Sequence, residues 1–312
     1  MQHAMETTNP NPLLCDPETG MCALPEAPAT APMAGEATTD NAVKIIYFTD
    51  PICSSCWGIE PQLRRLKLEY GASLDIEYRM GGLLPDWSYN SGGISKPSDV
   101  AHHWDEVSLH YDMPIDGDVW LEDPLPSSYP PSIAFKAAQL QGNANAVLFL
   151  REIREMVFLH KKNITRWEHL EAAAATVGLQ VDTFRTDFEK AANGLFAQDL
   201  ALAREWGVRG FPTVFFLDGS GQRDVVYGTK PYAVYEAALL HRNPSACKHA
   251  YGKTWEALFA SYASLTAREF SVLSDTPRPE SEALLNHLSD RGALEKTTTK
   301  NGSIWRRPAT GH

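Results

Sequence analysis

Cysteine is scarce in this chain, with five residues in 312. So few, and odd in number, exclude a fold held together by disulfides. Positive charge is short as well: 28 Lys and Arg stand against 39 Asp and Glu, for a formal net charge of -11. Nucleic-acid binding draws its affinity from Lys and Arg, so this balance works against such a partner. No apolar run approaches the roughly 20 residues that a membrane-spanning helix needs, and the first residues lack the basic-then-apolar order of a secretory signal. The expectation is a cytoplasmic protein with no membrane contact. No internal repeat is visible. What is present, 43% hydrophobic and 21% charged residues, is the composition of a globular chain, long enough for one large domain and an accessory one.

The stretch "EAPATAPMAGEATTDN", Glu26 to Asn41, is rich in Pro, Ala and Thr and has almost nothing large to bury, so residues 1–41 read as a flexible tail. From Val43, "VKIIYFT" has the length and β-branching of a buried strand. After it Ile59, Leu63, Leu66 and Tyr70 recur at helical spacing with Gly71 as a stop, and "SLDIEYRM" alternates like a second strand. Residues 82–199 lose strand character and offer several helical patterns, including "PSIAFKAAQLQG" and "ANAVLFLREIREMVFLHK". Strands return at "TVFFLD" and "RDVVYG", followed by the helix "YAVYEAALLH". This order predicts an α/β fold over residues 42–245 interrupted by a helical insertion.

Directly after the first strand comes "DPICSSCWG". A C-x-x-C opening a helix behind a strand is the thioredoxin-like arrangement. Unpaired N–H groups and the helix dipole favour a thiolate there. Cys53 is then the more exposed, attacking thiol, and Cys56, one turn on, the resolving one. Two other readings stay open: a metal half-site, although Cys15, Cys22 and Cys247 lack the spacing to complete it, and two packed structural cysteines. A second feature is "GVRGFPTVFF", where Pro212 stands at a strand start as a candidate cis-proline. Gly210 and Phe211, just before it, would offer backbone groups to an extended substrate. A routine strand-start proline is the alternative.

With "DPICSSCWG", the helical block opening at "PSSYPPSIAFKAAQLQG", and "GVRGFPT" in this order, Val43 to about His241 resembles the DsbA-type branch of the thioredoxin superfamily, especially its dithiol-disulfide isomerase and ClpXP-adaptor members. The resemblance implies Cys53 as attacking thiol, Cys56 as resolving thiol and Pro212 as the cis-proline of a substrate groove. It also implies that Glu60 lies beneath the cysteines and helps move a proton, the alternative being a salt-bridged surface glutamate. Trp57 either shields the dithiol beside the substrate or fills the core.

Both ends carry further signals. In "LLCDPETGMCALP", Cys15 and Cys22 flank a turn that would let their sulfurs meet, giving auxiliary thiols or a substrate mimic within reach of the dithiol. Cys247 reads as inert. Residues 254–312 read as two helices and a hairpin with Asn301-Gly302 at its tip, which resembles a winged helix. Glu280, Glu282 and Asp290 on the second helix oppose DNA, whereas Lys296, Lys300, Arg306 and Arg307 leave room for a phosphate contact, so protein docking or dimerisation is the favoured use. His102, His103 and His110 lie too far apart for a metal site. The expected function is a protein dithiol-disulfide oxidoreductase or isomerase with no metal or other cofactor, protein thiols or disulfides as substrates and a cellular dithiol as electron partner. A non-enzymatic adaptor for proteolysis is the alternative, and a redox-sensing DNA-binding regulator the third reading.

Overall fold

The computed structural model describes residues 15–16, 20–23, 42–89 and 96–308, with only the backbone of Cys15, Asp16 and Ala23. Within the span read as a flexible tail, strands β1 (Cys15–Asp16) and β2 (Met21–Ala23) form an antiparallel hairpin with Cys15 opposite Cys22. Residues 1–14 and the linker expected at 26–41 lie outside the described residues.

Strand β3 (Val43–Thr49) buries every residue except Lys44, which is half-buried. Its alternate side chains both meet core, so the run is continuously apolar rather than alternating. Helix α1 (Ser54–Gly58) follows, and α2 (Glu60–Tyr70) starts after a break at Ile59. Pro61 explains the break, because it has no N–H to give to Trp57 and its ring crowds that carbonyl. Strand β4 (Leu74–Met80) lies parallel to β3, as a strand-helix-strand unit requires.

The insertion consists of helices α3 (Pro97–Tyr111), α4 (Val119–Glu122), α5 (Tyr129–Gln139), α6 (Asn143–Leu159), α7 (Trp167–Thr176), α8 (Val181–Glu189) and α9 (Ala191–Glu205). It runs past the expected limit at 199 because Ala192, Phe196, Asp199 and Ala203 form one buried stripe at helical spacing. Asp199 accepts from Arg79 and Lys136, each at 2.8 Å, and from the Met80 amide at 2.9 Å, tying α9 and α5 to the end of β4.

The chain then enters β5 (Gly210–Phe211), β6 (Thr213–Leu217), β7 (Arg223–Tyr227) and α10 (Tyr232–Arg242). The main sheet has the order β4-β3-β6-β7, with β6 antiparallel to both neighbours. This is a thioredoxin-like fold with a helical insertion.

Residues 255–306 add α11 (Trp255–Ser261), β8 (Ser264–Thr266), α12 (Ala267–Ser274), α13 (Arg278–Asp290), β9 (Glu295–Thr299) and β10 (Gly302–Arg306). The strands form a sheet ordered β8-β10-β9. The "SLT" of β8 leads directly into the first of the two expected helices but is itself a strand. Thr266 caps α12 by a reciprocal bond with Glu269, so helix geometry begins only at Ala267. The hairpin pairs Thr299 with Gly302, which moves its tip one residue back to Lys300-Asn301. On β10, Ile304 packs into the main core and Trp305 into a second core with Leu258, Phe270 and Leu285. That alternation fixes the module against the rest of the molecule.

Candidate functional site

Cys53 caps α1 and its sulfur accepts the Cys56 N–H at 3.2 Å. The Phe211–Pro212 peptide bond is cis, and β5 lies beside the dithiol with an occupant already in place. Strand β2 pairs antiparallel with it, Cys22 opposite Phe211 and Ala23 opposite Gly210. The Gly20 carbonyl accepts the Thr229 N–H at 2.8 Å. Gly20 is at φ +67°, and a Cβ there would stand 2.6 Å from the Thr229 nitrogen, so only glycine fits the approach. Cys22 is disulfide-bonded, and the Cys53 thiol points at its sulfur from 3.4 Å. The side chain of Cys15, the other expected auxiliary thiol, lies outside the described residues.

This placement corrects the expectation for Cys53. Both dithiol residues are 0% exposed and Cys22 is 1% exposed, so the attacking thiol lies covered rather than open. The helix behind it has only five residues, and burial pushes the Cys53 thiol up instead of down, with the neighbouring Cys56 adding to the rise. Burial also acts against ionising Cys56, but the hydrogen bond with Cys53, the charge of Arg154 and the Thr49 hydroxyl outweigh it and lower that thiol.

Beneath the dithiol are two charged groups that the sequence reading missed. Arg154 is fully buried, donating to Glu60 at 2.6 Å, to the Thr49 hydroxyl at 2.6 Å and to the Asp50 carbonyl at 3.3 Å. Glu60, half-buried, is thus the ion-pair partner of Arg154, and it also lies 3.6 Å from Arg64. Asp50 is fully buried, accepting from the Ile52 and Leu83 amides at 3.0 and 2.7 Å and from the Ser128 hydroxyl at 2.8 Å. Burial raises its carboxyl to about 6 despite those bonds. Arg154 had a signal: it falls on the apolar stripe of α6, four residues after Leu150 and three before Val157. Asp50 and Thr229 had none beyond their place beside the motifs.

One expected substrate contact sits elsewhere. Trp57 is buried, donating to the Pro114 carbonyl at 3.1 Å and stacking on Phe158 at 5.5 Å. It fills core rather than lining a substrate surface. The Phe211 ring lies where a Cβ on Gly81 would be, 1.7 Å from its Cζ, so Gly81 is the floor under that ring. Only the backbone of Gly210 and Phe211 is offered outward, and β2 takes it. In the insertion, His102 pairs with Glu106 at 3.2 Å, while burial holds His103 down at about 4. Cys247 is exposed and free.

A strand-helix-strand core with a C-x-x-C at its first helix, a cis-proline strand opposite and a helical insertion defines a DsbA-type thioredoxin-like protein. The family model described as Thioredoxin matches residues 47–237. The ClpXP adapter protein SpxH of Halalkalibacterium halodurans is 34% identical over 98% of this chain and 99% of its own length. That of Shouchella clausii is 33% identical over 94% and 96%. The chain belongs to the DsbA-type thioredoxin-like family, in the branch that holds these adapter proteins. The cytosolic disulfide reductase DsbM from Pseudomonas aeruginosa shares the fold at 23% identity, with a TM-score of 0.51 over 62% of this chain and 97% of that one.

These relatives correct the expected enzyme. Both of these relatives, matching over nearly the whole chain, are named as adapters and not as dithiol-disulfide oxidoreductases or isomerases. Among the described residues no helix is long and apolar enough to cross a membrane.

Proposed function

We propose that this protein is a non-enzymatic adaptor that binds a client protein and delivers it to ClpXP for degradation. The observation that carries the reading is the end-to-end match to ClpXP adapter proteins, which includes the C-terminal module as well as the thioredoxin-like core. An adaptor needs docking surface rather than turnover, and the module supports this by being rigidly held. Arg64 and Arg151 from the core meet Glu269 of α12 at 3.2 and 2.8 Å, and Arg278 meets Asp112 at 2.9 Å.

The same contacts weigh against the DNA-binding regulator. Lys300 pairs with Asp105 and Asp118, and Arg306 with Glu155. Lys296 donates to Asn286, and Arg307 to the Glu256 carbonyl. The cations that would have met phosphates are engaged within the protein.

The test is a comparison of protein half-lives in the source cells with and without this gene, followed by reconstitution with purified ClpX, ClpP and ATP. The expected result is a small set of proteins that persist in the deletion and that ClpXP degrades at least ten times faster when the full chain is added. Unchanged half-lives and an unchanged ClpXP rate overturn the reading.

A further inference from the structure

The N-terminal hairpin is seated by three independent features. Its backbone extends the β5 edge through the pairings of Cys22 with Phe211 and Ala23 with Gly210. Gly20 is fitted against Thr229, whose amide and hydroxyl lie 2.8 and 3.3 Å from the Gly20 carbonyl oxygen. The buried Cys22 sulfur lies 3.4 Å from that of Cys53 and 3.6 Å from the Ser55 hydroxyl. An edge strand that accepts an extended segment in this way is a general mode of peptide binding. Here the peptide is the chain's own.

We propose that residues 20–23 are the resident occupant of the groove beside Pro212, and that transfer of the Cys22 disulfide to the Cys53–Cys56 pair releases them, freeing the β5 edge for an extended client segment. The last clause rests on the adaptor reading; the transfer does not. Of the five cysteines, Cys53, Cys56 and Cys247 are free, which assigns Cys15, opposite Cys22 in the hairpin register, as the second member of the Cys22 disulfide.

The exchange needs no outside oxidant. Cys53 Sγ attacks Cys22 Sγ while its proton passes to the Cys56 sulfur, the more acidic of the pair. The Cys53–Cys22 bond forms, the Cys22–Cys15 bond breaks, and its electron pair leaves on Cys15 as a thiolate. Cys56 Sγ then attacks Cys53 Sγ, forming the Cys53–Cys56 disulfide and returning the proton to the departing Cys22 sulfur. The tail pair gains two electrons and the C-x-x-C pair loses two. The 3.4 Å separation lies within the range of a near-attack arrangement, about 3–3.5 Å. Because the exchange stays within one chain and happens once per switch, it implies no turnover on foreign disulfides. Without its cross-link the hairpin keeps only strands of two and three residues, too short to hold themselves on an edge.

The test uses the full chain with its thiols trapped by alkylation and its disulfides mapped by mass spectrometry. In Cys56→Ser the second step is blocked, and a Cys22–Cys53 cross-link is expected to accumulate. Adding Gly20→Val, which unseats the hairpin, is expected to lower that cross-link at least tenfold, while circular dichroism shows the fold retained. In the unsubstituted chain, amide exchange at Gly210 and Phe211 is expected to be at least ten times faster in the Cys53–Cys56 disulfide form than in the tail-disulfide form. Absence of the cross-link, its persistence in the Gly20→Val background, or equal exchange in the two forms overturns the proposal. None of these readouts involves ClpXP or a client, so they fail or succeed independently of the adaptor reading.

Discussion

Asp50 shows how one buried group sets a pH dependence. Its carboxyl is raised from 3.8 to about 6, chiefly by burial. The native state therefore holds the proton more tightly than the unfolded chain does. Below pH 4 both states are protonated and the group makes no difference. Between pH 4 and 6 stability falls as pH rises, and above 6 the full loss of about 3 kcal/mol is present. Asp50→Asn removes this slope. Below pH 4 the variant is the less stable of the two, since its amide N–H₂ would face one of the donors that the two carboxylate oxygens now accept, and the gap narrows as pH rises through 6 because only the unsubstituted protein has a carboxyl to ionise. Chemical unfolding of both proteins from pH 4 to 7 is expected to give a difference curve that bends only in that window. Arg154 is the second case. Arg154→Met strips Glu60 of a partner at 2.6 Å, with a cost of about 3–5 kcal/mol expected from breaking a buried pair. The same change takes a cation from beside Cys56, so the thiolate absorbance of that residue is expected to titrate at higher pH. An unmoved titration would mean that Arg154 is only structural. Both groups belong to the site, yet an aspartate after a strand and an arginine in a helix are ordinary in sequence. Their meaning comes from burial, which spacing only hints at.

Among the elements, those with a strong period were legible: β3, β4, β6, β7, α6 and α10 fall within a residue or two of their expected bounds. Short elements were not. α11 has seven residues and β8 three, lengths at which propensity is overridden by what lies alongside. The N-terminal hairpin is the extreme case. Its two pairings exist only because β5 presents an edge, and β5 comes almost 190 residues later in the chain. Helix α12 carries the element-scale prediction. Glu269 is fully buried, taking two bonds from Arg151 at 2.8 and 3.0 Å and capping its own helix. Glu269→Ala leaves Arg151 and Arg64 without their common carboxylate, an expected cost of about 3–5 kcal/mol. Hydrogen exchange in β8 and β10 is expected to rise before exchange in β3 does. A uniform rise across both sheets would show that the module and the core unfold as one.

For the whole molecule, charge is the deciding quantity. The net charge of -11 and the engagement of Lys300 and Arg306 by core carboxylates predict that the full chain does not retain duplex DNA even at low salt. A mobility shift whose affinity falls linearly with the logarithm of salt would contradict this.

The sequence alone determined the class of fold and marked the dithiol and its cis-proline strand, because each is a local pattern: a period, a four-residue motif, a proline before an apolar run. Tertiary structure alone decided that Cys53 is covered, that Glu60 is paired with Arg154, that Trp57 is core, and that the tail occupies the groove. Those facts depend on which distant surfaces meet, and burial, which moves a thiol or a carboxyl from its ordinary acidity, is a property of the assembled fold that no stretch of chain holds by itself.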